Sequence, residues 1–138
     1  HVMQIYAADP VHGSEPFPGV CEALNTLAAR GHGLAICTQK PAPQARVLAE
    51  TLGLMPPITG LTGGGTLDVL KPDPAMLFHA AEQIGAGPIL YVGDSVVDAQ
   101  TARNADVPFL FYEGGYPNGQ VEAQTRFSDW RDLPGLIP

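Results

Sequence analysis

The chain has few basic residues, and they form no cluster. Lysine and arginine together number 7 against 14 aspartates and glutamates, which gives a formal charge of −7 with histidine neutral. A surface that binds nucleic acid or an anionic membrane needs concentrated positive charge, so we expect neither partner. An acidic protein can still bind a phosphorylated metabolite where a metal ion and a lysine meet at one site.

Cysteine and long apolar runs are also scarce. The two cysteines, Cys21 and Cys37, cannot form a disulfide framework, and Cys37 lies in an apolar run where a small buried side chain is expected. No apolar stretch approaches the roughly 20 residues of a membrane helix, and no signal-peptide pattern opens the chain. We therefore expect a reduced, cytoplasmic setting. The apolar share of 45% predicts a globular core rather than disorder.

Short apolar runs alternate with segments of helical spacing. Buried strands are predicted at 34–37, 58–62, 89–92 and 108–112, because each run is too short for a helix and is bounded by glycine, proline or polar residues. Helices are predicted at about 20–30, 41–52, 73–84 and 95–105, and a short edge strand and a helical turn within 126–138. The alternation predicts an α/β fold, a Rossmann-like parallel sheet with helices on both faces.

Thr38 follows the first predicted strand, together with Gln39 and Lys40. Ligand sites in such sheets lie beyond the carboxyl ends of the strands. A hydroxyl and free backbone N–H groups at a strand-to-helix turn can form an oxyanion pocket. The alternative is that Thr38 only caps the next helix.

Lys71 stands in the sequence Lys-Pro-Asp-Pro, just before a predicted helix. Two prolines restrict the backbone there, which suits a point charge directed at a phosphate. The alternative is a solvated lysine beside a helix start.

Two carboxylates, Asp94 and Asp98, follow the third predicted strand. Gly93 permits a tight exit from the strand, and the four-residue spacing places both carboxylates on one side of the first helical turn. They are then within reach of one lysine or one magnesium ion, which prefers carboxylate oxygen. The alternative is a helix cap at Asp94 and a helix-dipole partner at Asp98.

The order of these groups resembles the haloacid dehalogenase superfamily. The segments ICTQK, KPDP and VGDSVVD are similar to its second, third and fourth motifs, and the longer segments TGGGTLDVLKPDP and VGDSVVDAQTARNADVP are most similar to those of phosphoglycolate phosphatases. The resemblance extends from about Pro16 to the C-terminus. Asp106 stands where the superfamily commonly has glycine, and aspartate tolerates the left-handed conformation expected there.

The resemblance implies roles for the site residues. Thr38 would donate its hydroxyl to the phosphoryl group, and Gln39 would line the substrate end. Lys71 would neutralise charge on the nucleophile and the transferring phosphate. Asp94 would hold Mg²⁺, and Asp98 would complete that metal shell or hold Lys71. The implied substrate is a small phosphorylated metabolite, with 2-phosphoglycolate first and a sugar phosphate or pyrophosphate as alternatives.

The superfamily's first motif, a strand ending in Asp-x-Asp that supplies the nucleophile, has no counterpart in this sequence. Asp9 and Asp68 are lone carboxylates. We therefore expect a piece of an enzyme, with residues 1–15 a cap remnant or linker and 16–138 a hydrolase core lacking its first strand. We expect the chain to be inactive alone, and either to self-associate through the gap or to fill it with its own N-terminal residues.

Two other functions fit part of this pattern. A haloacid dehalogenase attacks carbon without a metal, and the two neighbouring carboxylates argue against it because they would compete for one lysine. A non-catalytic phospho-receiver module also uses aspartates, a threonine and a lysine. Its acidic pair comes first in the chain, whereas here the pair comes last.

Overall fold

A computed structural model describes residues 4–7, 10–12, 15–85, 87–115, 119–123 and 125–137. Among these the strands are β1 (Gln4–Ala7), β2 (Val11–His12), β3 (Glu15–Pro16), β4 (Gly33–Pro41), β5 (Gly60–Gly64), β6 (Ile89–Gly93), β7 (Phe109–Tyr112) and β8 (Thr125–Phe127). The helices are α1 (Val20–Ala29), α2 (Ala42–Thr51), α3 (Ala75–Ile84), α4 (Val96–Ala105) and α5 (Leu133–Leu136), with a 3-10 turn at Trp130–Asp132.

Six strands form one parallel sheet in the order β5-β4-β1-β6-β7-β8, and β2 and β3 form a small antiparallel ribbon. One face of the sheet packs against α1, α2 and α5 through a large apolar cluster. The other face packs against α3 and α4 through a smaller cluster that includes Cys37 and Tyr91. The predicted α/β architecture with helices on both faces is confirmed.

The centre of the sheet differs from the expectation of a missing strand. β1 pairs in parallel with β4 on one side and β6 on the other, and Ile5 lies opposite both Leu34 and Leu90. Of the two outcomes expected, the chain therefore shows the second: its own N-terminal residues fill the position. The division at residues 15 and 16 and self-association through a gap stay predictions, and Asp9 lies outside the described residues.

Strand β4 continues past its predicted end at Cys37 and includes Thr38, Gln39 and Lys40. A register irregularity separates Cys37 from Pro41 in its pairing with β5. Glycine in β5 allows this extension, because a Cβ on Gly64 would lie 2.4 Å from the Gln39 carbonyl oxygen. The turn predicted at Thr38 is thus wrong in detail, since the segment stays extended.

The ends of α1 to α4 lie within two residues of the predicted ones, and the largest difference is at α3, which begins at Ala75. The start of α4 decides between the two interpretations of its acidic residues. Its N-cap is Ser95, whose side chain accepts a hydrogen bond from the Asp98 N–H group, so the alternative cap at Asp94 is wrong. At the other end Asp106 has φ 58° and ψ 46°, the left-handed conformation expected for it. In the part of the chain that the structure describes, no helix is long and apolar enough to span a membrane.

The outer edge of β5 is covered by a side chain rather than by another strand. Gln83, on α3, accepts from the Leu61 N–H group at 3.1 Å and donates to the Leu61 carbonyl at 3.2 Å. It also donates to the Thr62 hydroxyl at 2.9 Å, and His79 bonds the same hydroxyl at 2.8 Å. The Gln83 amide therefore makes the backbone hydrogen bonds that an added strand would make.

Replacing Gln83 with alanine should expose this edge. We expect a lower free energy of unfolding, by about 1 kcal/mol for the lost hydrogen bonds, and concentration-dependent association through β5. Urea unfolding and size-exclusion chromatography measure the two effects. Glu82→Ala, an exposed neighbour on the same helix, is the control. A monomeric Gln83→Ala variant with unchanged stability would contradict the prediction.

Candidate active site

A buried ion pair lies at the carboxyl end of the sheet. Lys71 Nζ is 2.8 Å from Asp98 Oδ1, and the two side chains are only 7% and 3% exposed. Lys71 comes from the loop between β5 and α3, whereas Asp98 lies in the first turn of α4. The fold thus joins two of the sequence-predicted site residues that are 27 positions apart.

Four hydrogen bonds surround the Asp98 carboxylate. Oδ1 accepts from Lys71 and from the Tyr91 hydroxyl at 3.1 Å. Oδ2 accepts from the Asp94 N–H group at 3.2 Å and from the Ser95 hydroxyl at 2.9 Å. Two carboxylate oxygens offer about four acceptor positions, so the geometry uses all of them within the protein.

The Lys71 ammonium also has a partner for each of its three N–H groups. Besides Asp98, it donates to the Tyr91 hydroxyl at 3.3 Å and to the Cys37 carbonyl at 3.4 Å. Burial without these acceptors would carry a large desolvation cost, so they hold the charge in one place. The charge lies beside the middle of β4, at Cys37, one residue from Thr38.

Asp94 follows β6 directly and is half-buried. Two glycines leave room for the carboxylates: a Cβ on Gly115 would lie 2.1 Å from Asp94 Oδ2, and one on Gly93 would lie 2.5 Å from Asp98 Cβ. The pKa of the Tyr112 phenol is raised, mainly by burial and then by the negative charges of Asp129 and Asp94. Asp94 thus occupies a close-packed position at the sheet edge.

Thr38 lies at the same edge, but its side chain is on the other face of the sheet. It is buried, its hydroxyl accepts from the Lys40 N–H group at 3.2 Å, and it lines a small cavity with Val11, Ala45 and Leu54. The Gln39 side chain is exposed. The structure therefore brings Lys71, Asp98 and Asp94 together, and it places Thr38 and Gln39 next to them along β4 rather than in hydrogen-bond contact with Lys71.

The described residues fit only part of a magnesium shell. They contain no group of three or more His, Cys, Asp or Glu side chains placed to hold a metal ion. Magnesium often takes one or two carboxylates and completes its shell with water and substrate phosphate. Asp94 can supply such an oxygen, whereas Asp98 would first have to release one of its four donors.

Sequence reasoning missed Tyr91 and Ser95. Tyr91 lies within an apolar strand and was expected only to be buried. The signal that could have found it is chemical: a fully buried tyrosine usually has a hydrogen-bond partner for its hydroxyl, and alternation along β6 directs residues 91 and 93 to one face.

A parallel α/β sheet with a buried lysine–aspartate pair and a second aspartate at its carboxyl edge agrees with the resemblance to the haloacid dehalogenase superfamily. The sequence profile of the haloacid dehalogenase-like hydrolases matches residues 2–106. The chain belongs to this family.

The relatives that this chain matches in sequence include phosphoglycolate phosphatases. The chain is 43% identical over 133 residues to the phosphoglycolate phosphatase of Rhodospirillum rubrum, covering 93% of this chain and 55% of that protein. It is 38% identical over 139 residues to that of Agrobacterium fabrum, covering 96% and 59%. The chain thus spans somewhat more than half the length of these relatives.

Solved structures give the same grouping. A crystal structure described as a predicted phosphoglycolate phosphatase from Haemophilus somnus superposes with a TM-score of 0.82 at 28% identity, covering 90% of this chain and 58% of that one. A haloacid dehalogenase superfamily hydrolase from Geobacter sulfurreducens superposes with a TM-score of 0.76 at 30% identity, covering 88% and 61%.

Asp98→Asn should destabilise the fold strongly. The substitution removes the charge that compensates buried Lys71, and breaking such a pair costs about 3 kcal/mol or more. Urea unfolding followed by circular dichroism measures the loss. Asp106→Asn is the control, because Asp106 is exposed and asparagine also tolerates its left-handed backbone. A loss below about 1 kcal/mol would show that the pair contributes little to folding.

Cys37 should resist thiol reagents although it lies beside the site. Burial, the largest cause, raises the pKa of its thiol to about 11, so almost no thiolate exists at pH 8. A disulfide reagent should label one thiol per native chain, Cys21, and both thiols in urea. In the unfolded chain the thiol has its ordinary, lower pKa. The contribution of Cys37 to the free energy of unfolding should therefore fall as the pH rises from that ordinary value towards 11. Rapid native labelling of Cys37 would contradict its burial.

Proposed function

We propose that this chain is the core of a magnesium-dependent phosphomonoester hydrolase, and that 2-phosphoglycolate is the substrate of the intact protein. The observation that carries the proposal is the buried Lys71–Asp98 pair beside Asp94, at the edge of the sheet where α/β folds bind ligands. The relatives named phosphoglycolate phosphatases support the choice of substrate.

Lys71 is the group best placed to neutralise a phosphate. Its three N–H groups already have protein acceptors, so Lys71 acts on an arriving anion through its positive charge, held at a fixed position. Asp98 acts through Lys71 rather than on the substrate, because its oxygens already accept four hydrogen bonds. The Thr38 hydroxyl lies at the same sheet edge and can accept from the Lys40 N–H group while it donates its own proton to a phosphoryl oxygen.

Asp94 is the carboxylate that would hold Mg²⁺, which when bound neutralises charge on the phosphoryl oxygens. In the intact enzyme an aspartate attacks phosphorus and water then hydrolyses the aspartyl-phosphate, an instance of nucleophilic carboxylate catalysis. This sequence has no Asp-x-Asp to supply that nucleophile. We therefore propose that the chain binds phosphate but does not turn it over, and that it acts in the cytoplasm.

Titration calorimetry with inorganic phosphate and 2-phosphoglycolate, with and without Mg²⁺, tests the proposal. We expect binding that Mg²⁺ strengthens, and tighter binding of 2-phosphoglycolate than of a hexose phosphate or pyrophosphate. Absence of any magnesium-dependent phosphate binding would overturn the assignment. Turnover of an aryl phosphate that disappears in Asp94→Ala would overturn only the expected inactivity.

Asp94→Asn should remove the effect of Mg²⁺ on phosphate binding. The amide keeps the shape of the side chain but loses the negative charge that a hard divalent cation requires, so we expect an affinity for Mg²⁺ at least about tenfold weaker. Asp68→Asn, which removes a carboxylate from an exposed loop, is the matched control. Equal magnesium affinity in the two variants would remove Asp94 from the metal site.

A further inference from the structure

The Tyr91 hydroxyl lies between the two charged groups of the buried pair. It is 3.1 Å from Asp98 Oδ1 and 3.3 Å from Lys71 Nζ, and the Cys37 thiol is a further close neighbour. The residue is fully buried in the middle of the sheet, on the face that packs against α3 and α4. The hydroxyl thus donates to the carboxylate and accepts from the ammonium.

The alternative is that Tyr91 contributes only apolar packing. Its ring packs against Phe109 with centroids 6.1 Å apart, and phenylalanine would make the same contact. The hydroxyl is what phenylalanine lacks, and it is directed at the two side chains on which the site is built. Burying a hydroxyl carries a desolvation cost that its hydrogen bonds must offset. Apolar packing alone therefore does not explain a tyrosine, rather than a phenylalanine, at this position.

We propose that Tyr91 is a positioning residue that sets where the Lys71 ammonium points; its importance for catalysis rests on the function proposed above. Asp98 attracts the ammonium from α4, and the Cys37 carbonyl attracts it from β4. The Tyr91 hydroxyl on β6 supplies the third acceptor, so three different elements hold one nitrogen. Removing one acceptor leaves an N–H group unsatisfied and lets the ammonium move.

A neutral acceptor suits this position better than a charged one. Lys71 and Asp98 together carry no net charge, and a second carboxylate would leave the group negative and repel a phosphate. Burial first, and then the negative charge of Asp98, raises the pKa of Tyr91 well above its ordinary value. The phenol therefore stays neutral and restrains Lys71 without weakening its attraction for an anion.

The chain offers a direct test, because it contains only two lysines, Lys40 and Lys71. An amine-reactive ester followed by peptide mass spectrometry gives the labelling rate of each one. In Tyr91→Phe we expect Lys71 to label about threefold to tenfold faster, the factor that corresponds to one lost hydrogen bond, with Lys40 unchanged as the internal reference. The measurement needs no enzymatic activity.

Tyr112→Phe is the matched control, since it removes another buried tyrosine hydroxyl on the neighbouring strand β7. It should leave Lys71 labelling unchanged. Equal rates for Lys71 in Tyr91→Phe and wild type would overturn the proposal and leave Tyr91 as filler. If Tyr91→Phe does not fold, NMR of the wild type decides: slowly exchanging Lys71 ammonium protons with a cross-peak to the Tyr91 ring support the proposal, and their absence overturns it.

A second measurement separates this inference from the proposed function. In the same variants, the affinity for inorganic phosphate should fall about threefold to tenfold in Tyr91→Phe and stay constant in Tyr112→Phe. Faster labelling with unchanged phosphate affinity would overturn the role in the site but keep the positioning of Lys71. No phosphate binding by the wild type would overturn the proposed function and leave the labelling result standing.

Discussion

The buried contact between Lys71 and Asp98 connects every part of the candidate site. A lysine from a loop, an aspartate from α4, a tyrosine from β6 and a carbonyl from β4 meet at one nitrogen and one carboxylate. Each charge would be costly to bury alone, and each offsets the cost of the other. Because the loop before α3, the start of α4 and the strands β4 and β6 all contact this pair, the carboxyl edge of the sheet has a defined shape before any ligand binds.

Close backbone approach is the second constraint. Gly93 leaves the space that the Asp98 side chain occupies, and Gly115 leaves the space beside Asp94. Glycines in β5 likewise let β4 continue to Pro41, so that Thr38 and Gln39 lie in an extended strand. A larger residue in place of any of these glycines would collide with the carboxylate or the backbone beside it.

Local patterns in the sequence determined most of the elements. Helical spacing with glycine or proline at the ends located α1 to α4 to within a few residues, because those signals depend only on neighbours in the chain. No local pattern predicted strand β1, since four residues with little apolar alternation carry almost no signal of their own; N-terminal residues were expected there only as one of two ways to fill the gap. Its place comes from the two strands on either side, which offer it backbone hydrogen bonds along both edges.

The sequence by itself determined which chemical groups occur and in what order: a threonine beside an apolar strand segment, a lysine before a helix, and two aspartates after another strand. Only the tertiary structure decided their partners. It pairs Asp98 with Lys71 and places the Thr38 side chain on the opposite face of the sheet. It also adds the Tyr91 hydroxyl and the Cys37 carbonyl as hydrogen-bond partners of the pair. The physical reason is that a buried charge is stabilised by groups close in space, and those groups come from segments 20 to 34 positions away from Lys71.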